Sequence, residues 1–292
     1  MKIVRYQSDR GPRAGVLADD SVLDLEKASD GRLPATTTEL ISDEKILSDA
    51  QRLQQSARED ADLREAFASP LDEIHLLPPV ERPRKIVCLG LNYRDHAEES
   101  GHEAPDEPVI FAKLTSSVIG PSDQIILPAV STKVDYEVEL ALVIGKKGKN
   151  VPAARAMEYI AGYTVLNDVS ARDYQHEKPG GQWLLGKSFD TFCPIGPWLV
   201  TQDEIEDPHN LELKCEVNDE VLQSSDTSRM LFRIPQIIEY ISKVFTLEPG
   251  DVVATGTPAG VGMGRTPPKY LRSADVVACT VQGIGTLRNG VL

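Results

Sequence analysis

After residue 85 the apolar positions fall in short β-type runs: "KIVCLGL", "PVIFAKL", "YEVELALVIG", "YTVLNDV", "PWLV", "LELKCEVN", "DVVATGT" and "VVACTV". Alternation within the runs, with Gly, Pro, Asp and Asn between them, predicts strands. One helical stripe interrupts them, "IPQIIEYISKVF" (234–245), and the spacing predicts a second helix over "AARAMEYI". Before residue 30 the pattern is three short strands, "KIVRY", "AGVLA" and "SVLDL", parted by the turn signals "DRG" and "DD". From Thr37 to Ala68 the period changes to 3.6, with Leu40, Ile41, Ile46, Leu47, Ala50, Leu53, Ala57 and Leu63 as the apolar stripe. Three prolines in "LLPPVERPRK" then stop any helix and mark an extended arm. The expected division is a small N-terminal β/helical module (1–75), a Pro-rich linker (76–84) and a large domain (85–292). The fold class expected is α+β, mainly β: a curled sheet or sandwich-like roll carrying a few helices.

The 292 residues are 41% hydrophobic, enough for a sizeable core. Acidic side chains outnumber basic ones 45 to 31, a formal charge of -14, so the overall field repels phosphate backbones and anionic membranes. Neither nucleic acid nor a membrane is expected as a partner. An anionic substrate would have to be held by locally placed cations or a metal. Cys88, Cys193, Cys215 and Cys279 form no C-x-x-C pair, which argues against zinc and a disulfide framework and for a reduced interior. The N-terminal "MKIVRYQSDRGPRAG" has no apolar h-region, and no run approaches the roughly 18 apolar residues of a membrane helix. The expectation is a cytoplasmic protein, with a cleaved organelle-targeting segment as the alternative.

The chemistry begins in "VDYEVELALVIG". In a strand Glu137 and Glu139 share a face, with Cα atoms roughly 6.6 Å apart at about 3.3 Å per residue. Ala141 and Val143 continue that face as apolar residues, so the pair borders something buried; the alternative is an edge strand facing water. Asp168, in "AGYTVLNDVSARD", also follows an apolar run. Two ionised groups about 4 Å apart repel by about 4 kcal/mol at an effective dielectric of 20, so three in one cavity must be protonated or joined by a cation. Oxygen-only donors favour a hard ion, Mg²⁺, Mn²⁺ or Ca²⁺.

In "NYRDHAEESG", His96 precedes Glu99 by three residues; on a helix the carboxylate would orient the imidazole as a general base, and a surface helix start is the bland alternative. Lys187 stands between apolar runs in "WLLGKSFDTFCPIG", either snorkelling or buried with a partner. Arg172 and Gln175 follow Asp168 at helical spacing if a turn begins there, and with Lys187 would supply local positive charge. The glycine-rich "ATGTPAGVGMG" could offer backbone N–H groups to an anion but has neither the Lys-Ser/Thr of a phosphate loop nor a dinucleotide fingerprint.

Taken in order, "NYRDHAEE", "DYEVELALVIG", "GYTVLNDVSARDYQ", "GKSFDTFCPIGP", "PGDVVATGTPAGVG" and "GIGTLRN" resemble the fumarylacetoacetate hydrolase family over residues 85–290. The branch most similar includes acylpyruvate hydrolases, oxaloacetate decarboxylases and tautomerases, and 2-hydroxyhepta-2,4-diene-1,7-dioate isomerases. The resemblance implies a mixed β-sandwich roll, commonly a homodimer, with one Mg²⁺ or Mn²⁺ (Ca²⁺ as a substitute). It matches Glu137, Glu139 and Asp168 to the metal ligands and His96 with Glu99 to a water-activating dyad. Lys187 matches a lysine near the developing oxyanion, and Arg172, Gln175 and Thr257 match substrate contacts. "FAKLTSS" departs from a common Lys-Pro beside the site, and "RSADVV" from a common Gly-Asp turn. The implied activity is metal-dependent chemistry on a small anionic 2-oxo (di)acid, foremost C–C hydrolysis or lysis of acylpyruvate type. Oxaloacetate tautomerisation or decarboxylation and diene-dioate isomerisation are the alternatives, and a metal- or metabolite-binding protein on the same scaffold is the non-enzyme alternative.

Overall fold

The computed structural model describes residues 1–99, 101 and 103–292. Its main sheet runs, by neighbouring strands, Ala68–Pro70, Ser21–Asp24, Gly11–Ala18, Lys2–Ser8, Cys193–Thr201, Ile160–Asn167, Val138–Ile144, Val252–Ala254, Ile86–Gly90 and Val109–Lys113. Each pairing on this path is antiparallel except that of Val252–Ala254 with Ile86–Gly90. A second, four-stranded antiparallel sheet is ordered Glu220–Asp226, Glu212–Val217, Val276–Val281 and Gly285–Gly290. The expected α+β, mainly β roll carrying a few helices is therefore correct. The sequence reading missed the strands Glu220–Asp226 and Gly285–Gly290, whose alternation is diluted by polar and glycine residues.

Alternation along Val138–Ile144 decides what packs where. Val138, Leu140, Leu142 and Ile144 point into the core between the sheets, among Leu213, Cys215, Val277 and Cys279. Ala141 points to the opposite face, against Cys88, Leu166 and Cys193, and Val143 joins the core of the N-terminal module. Helix Ile234–Val244 buries Ile234, Ile237, Ile238 and Ile241, the spacing of one helical face. The predicted helix over "AARAMEYI" is instead a 3₁₀ turn, Ala153–Tyr159, that passes straight into strand Ile160–Asn167.

The 3.6-period stretch near the N-terminus divides into three helices, Thr37–Ile41, Glu44–Glu59 and Ala61–Phe67, whose starts are capped by the Thr36, Asp43 and Asp60 side chains. Their stripe packs with Val143, Ala161 and Leu199 of the large domain. The proline arm ties to both parts: Leu77 N–H donates to Arg5 O, and Val80 is buried in the same core. Among the described residues no helix is long and apolar enough to cross a membrane.

Candidate active site

Strand register builds the acid cluster. Val138 pairs with Asn167 and Glu139 with Leu166, so Asp168, one residue past its strand, arrives beside Glu137. There Asp168 N–H donates to Glu137 O at 2.9 Å, and the Asn167 side chain accepts Glu137 N–H at 3.0 Å. This corrects the sequence reading in one respect. Glu137 is not on the glutamate strand but in a break between Val134–Asp135 and Val138–Ile144, because its amide is claimed by a side chain rather than by a neighbouring strand. The carboxylates still converge: Glu137, Glu139 and Asp168 are all buried, with one oxygen from each lying within 4.8 Å of the others. An edge strand facing water is excluded.

Cations surround the cluster. Lys187, the last residue of helix Trp183–Lys187, is buried and donates from Nζ to Glu137 Oε2 and Asp168 Oδ2, both at 2.7 Å. The helix can approach because residue 186 is glycine; a Cβ there would lie 2.7 Å from the Gln175 backbone N. Lys113, at the end of its strand, donates to Asp168 Oδ1 at 2.5 Å and to Val169 O. Arg172 donates from Nε to Asp135 Oδ2 at 2.8 Å and from Nη1 to Gln175 Oε1 at 2.9 Å. Its Nη2 lies 2.6 Å from Glu137 Oε1 but off the hydrogen-bonding axis. The turn carrying Gln175 is a π-turn, Asp173–Glu177, and begins after Arg172 rather than at Asp168, since Ser170–Ala171 first pairs as a strand with Val134–Asp135.

His96 and Glu99 sit on the short helix Arg94–Glu99, as their spacing predicts. His96 Nδ1 is buried, 3.5 Å from Glu99 Oε2, and has no hydrogen-bond partner among the described residues. Both Glu99 oxygens instead accept Gly260 N–H at 3.0 Å. The glycine-rich loop does present N–H groups to anions, but here they are the protein's own carboxylates: Gly256 donates to Glu139 Oε2, and Gly262 and Met263 donate to Asp135. Thr257 lines the cavity, with its hydroxyl donating to Val138 O at 2.9 Å and accepting from Gln223 Nε2. The cavity measures about 270 Å³ and is lined by Glu137, His96, Lys187, Arg172, Gln175 and Thr257, with further polar and apolar walls.

Residues 85–292 match the family signature described as fumarylacetoacetate (FAA) hydrolase, C-terminal, and residues 1–79 match one described as Rv2993c-like, N-terminal. The chain belongs to the fumarylacetoacetate hydrolase family. It is 46% identical over 297 residues to oxaloacetate tautomerase FAHD2A, mitochondrial, of Homo sapiens, covering 100% of this chain and 92% of the relative. Among solved structures it is similar to 5-carboxymethyl-2-hydroxymuconate delta-isomerase from Mycobacterium smegmatis (38% identity, 100% and 99% of the two chains, TM-score 0.77). It is also similar to maleylpyruvate hydrolase from Sphingobium sp. SYK-6 in complex with manganese(II) ion and pyruvate (30% identity, 100% and 99%, TM-score 0.78). Like these members of the family, the chain is an enzyme, which sets aside the non-enzyme alternative.

The family's expected divalent cation fits the donors present: three buried carboxylates, all oxygen, with no histidine or cysteine in the cluster among the described residues. Burial first, then the charges of Asp168 and Glu137, push the Glu139 carboxyl well above the usual carboxylate range. Burial would raise Glu137 as well, but Lys187 and Arg172 outweigh it and hold that carboxyl below its ordinary value. Glu139 therefore carries the proton that a cation must displace. Divalent-metal affinity is expected to rise with pH, by up to about tenfold per unit, while pH lies below Glu139's raised pKa. Titration calorimetry at pH 6 and pH 8, in buffers of different ionisation heat, checks this. Affinity independent of pH, with no proton released, would contradict it.

Two site residues escaped the sequence reading. Lys113 stood within "FAKLTSS", which the family resemblance set beside the site, but was given no role of its own. Asp135, which braces Arg172 and two loop amides, stood one strand period before Glu137.

Proposed function

We propose that this chain is a divalent-metal-dependent oxaloacetate keto–enol tautomerase, in place of the acylpyruvate-type C–C hydrolase foremost in the sequence reading. The observation that carries the proposal is whole-chain similarity, 46% over 100% of its length, to oxaloacetate tautomerases. A cavity of only about 270 Å³ that reaches Glu137 of the acid triad is consistent with a substrate of this size.

A divalent cation on Glu137, Glu139 and Asp168 would supply electrophilic polarisation of a 2-oxo acid's oxygens. The protein's own groups do the rest. His96, which lines the cavity with its Nδ1 turned toward Glu99, takes the proton from the carbon next to the keto group and returns it in the reverse direction. Lys187 steadies the negative charge that grows on oxygen as that proton leaves. The apolar walls of Leu89, Phe111 and Trp183 limit water, and tautomerisation needs none. Hydrolysis is the second reading, favoured by the Glu99 carboxylate 3.5 Å from His96, which would align the imidazole for activating a water.

Loss of the enol's ultraviolet absorbance is the test, with acetylpyruvate cleavage and oxaloacetate decarboxylation followed in parallel. The expected result is Mg²⁺- or Mn²⁺-dependent tautomerisation that falls about 10²–10⁴-fold in His96→Asn. Cleavage of acetylpyruvate with little tautomerisation would replace this reading with the hydrolase. A homodimer is also proposed. Exposed Leu184 and Leu185 lie on the cavity helix itself, followed by Ser188, whose Oγ accepts the N–H of exposed Leu114, and light scattering is expected to report twice the 32.0 kDa of one chain.

A further inference from the structure

The outer part of the cavity holds an ion pair that the chemistry above does not use. Lys133 immediately precedes the strand Val134–Asp135, and its side chain lines the same cavity as Glu137. Its carbonyl accepts Arg172 N–H at 2.9 Å, which fixes it beside the arginine. Lys133 Nζ donates to Glu177 Oε1 at 2.5 Å, and Glu177 closes the π-turn that carries Gln175. Both side chains line the cavity.

The three lysine and arginine side chains lining the cavity differ in how tightly they are held. The Lys187 and Arg172 side chains are 2% and 4% exposed, and each lies against two buried carboxylates. Lys133 is 39% exposed and its partner Glu177 57%. The hydrogen bond that Lys133 donates to Glu177 first, then that carboxylate's charge, raises the Lys133 pKa. A water-screened pair exchanges partners readily, whereas a buried one does not. The facing wall is apolar. Trp183 lies over Gly90, where a Cβ would come within 2.7 Å of the indole, and meets Phe111 edge-on at 5.3 Å. The cavity thus has a carboxylate cluster with its cations at the inner end and an exchangeable cation at the rim.

We infer that Lys133 is a specificity-determining residue that leaves Glu177 to bind the distal carboxylate of a dianionic 2-oxo acid. The inference rests on the proposed function for the inner end and names the class of substrate it takes. Pyruvate shares the 2-oxo acid end with oxaloacetate but has no distal carboxylate, so the pair of ligands isolates the contribution of Lys133. Glu177 opposes a dianion, so removing its charge acts in the opposite sense to removing that of Lys133.

Calorimetric titration of the Mn²⁺-loaded full chain with freshly dissolved oxaloacetate and with pyruvate tests this in wild type, Lys133→Met, Lys133→Arg and Glu177→Gln. The expected result is oxaloacetate affinity about tenfold weaker in Lys133→Met, with pyruvate affinity within about twofold of wild type. Lys133→Arg keeps most of the oxaloacetate affinity, and Glu177→Gln keeps or improves it. Equal losses for both ligands in Lys133→Met, or weaker oxaloacetate binding in Glu177→Gln, would overturn the inference, as would a wild type that binds pyruvate as tightly as oxaloacetate. Turnover is read separately. Discriminating binding without tautomerisation would remove the proposed function and leave Lys133 its role; tautomerisation with binding indifferent to Lys133 would do the reverse.

Discussion

Glu137→Gln is expected to abolish divalent-metal binding and lower turnover by about 10³-fold or more. The substitution keeps the shape of the side chain and replaces one of three anionic oxygen donors with a neutral amide. Hard cations draw their affinity from charged oxygens, so the loss should exceed the roughly 10–100-fold that follows removal of an outer partner of a metal ligand. Glu137 also receives Lys187 at 2.7 Å and lies 2.6 Å from Arg172 Nη2, so both cations lose a buried counter-charge at the same time. Metal titration by calorimetry and tautomerase rates on the same preparation provide the check, with circular dichroism confirming the fold. A variant that binds Mn²⁺ like wild type would remove Glu137 from the ligand set.

Lys187→Met is expected to separate stability from catalysis. Four buried carboxylates, Asp135, Glu137, Glu139 and Asp168, are matched by three buried cations, Lys113, Arg172 and Lys187, with Glu139 holding a proton. Burial alone would lower the Lys187 pKa, but Asp168 and Glu137 outweigh it and raise it, so the ammonium is firmly charged. Breaking a buried pair by removing one partner costs about 3–5 kcal/mol. At about 2–4 °C per kcal/mol for a chain of this size class, the metal-free Tm should fall by roughly 10 °C. Saturating Mn²⁺ adds positive charge where Lys187 is missing and should recover part of the loss, making the metal-induced rise in Tm larger than in wild type. Turnover should still fall about 10²–10³-fold, the usual cost of losing a donor to developing oxygen charge. An unchanged metal-free Tm together with wild-type kcat would show that Lys187 has neither role.

How much of this site was legible beforehand follows from the distance over which each signal acts. The nearness of Glu137 and Glu139 in sequence, the helical His96–Glu99 spacing and the isolated Lys187 are local facts, readable from residue type, from helical period and from a charge out of place, although strand period did not place Glu137. Lys113 and Asp135 look ordinary in their own segments. Their roles come from contacts 55 and 37 residues away along the chain, with Asp168 and Arg172. The 3₁₀ turn at Ala153–Tyr159 was misread because a short apolar segment fits several periods, and the tertiary setting chooses among them.

By itself the sequence determined a mainly β chain with a helical N-terminal segment, a hard-donor acid set, and motifs in a family's order. Apolar alternation, turn chemistry and residue type act within a few positions, so they survive without coordinates. Only the tertiary structure decided that the acids meet, because register between Val138–Ile144 and Ile160–Asn167 places Asp168 beside Glu137. It alone also decided which cations balance them and that Lys133 stands at the rim bound to an exposed partner. Those outcomes depend on long-range packing and burial, which no single stretch of chain encodes.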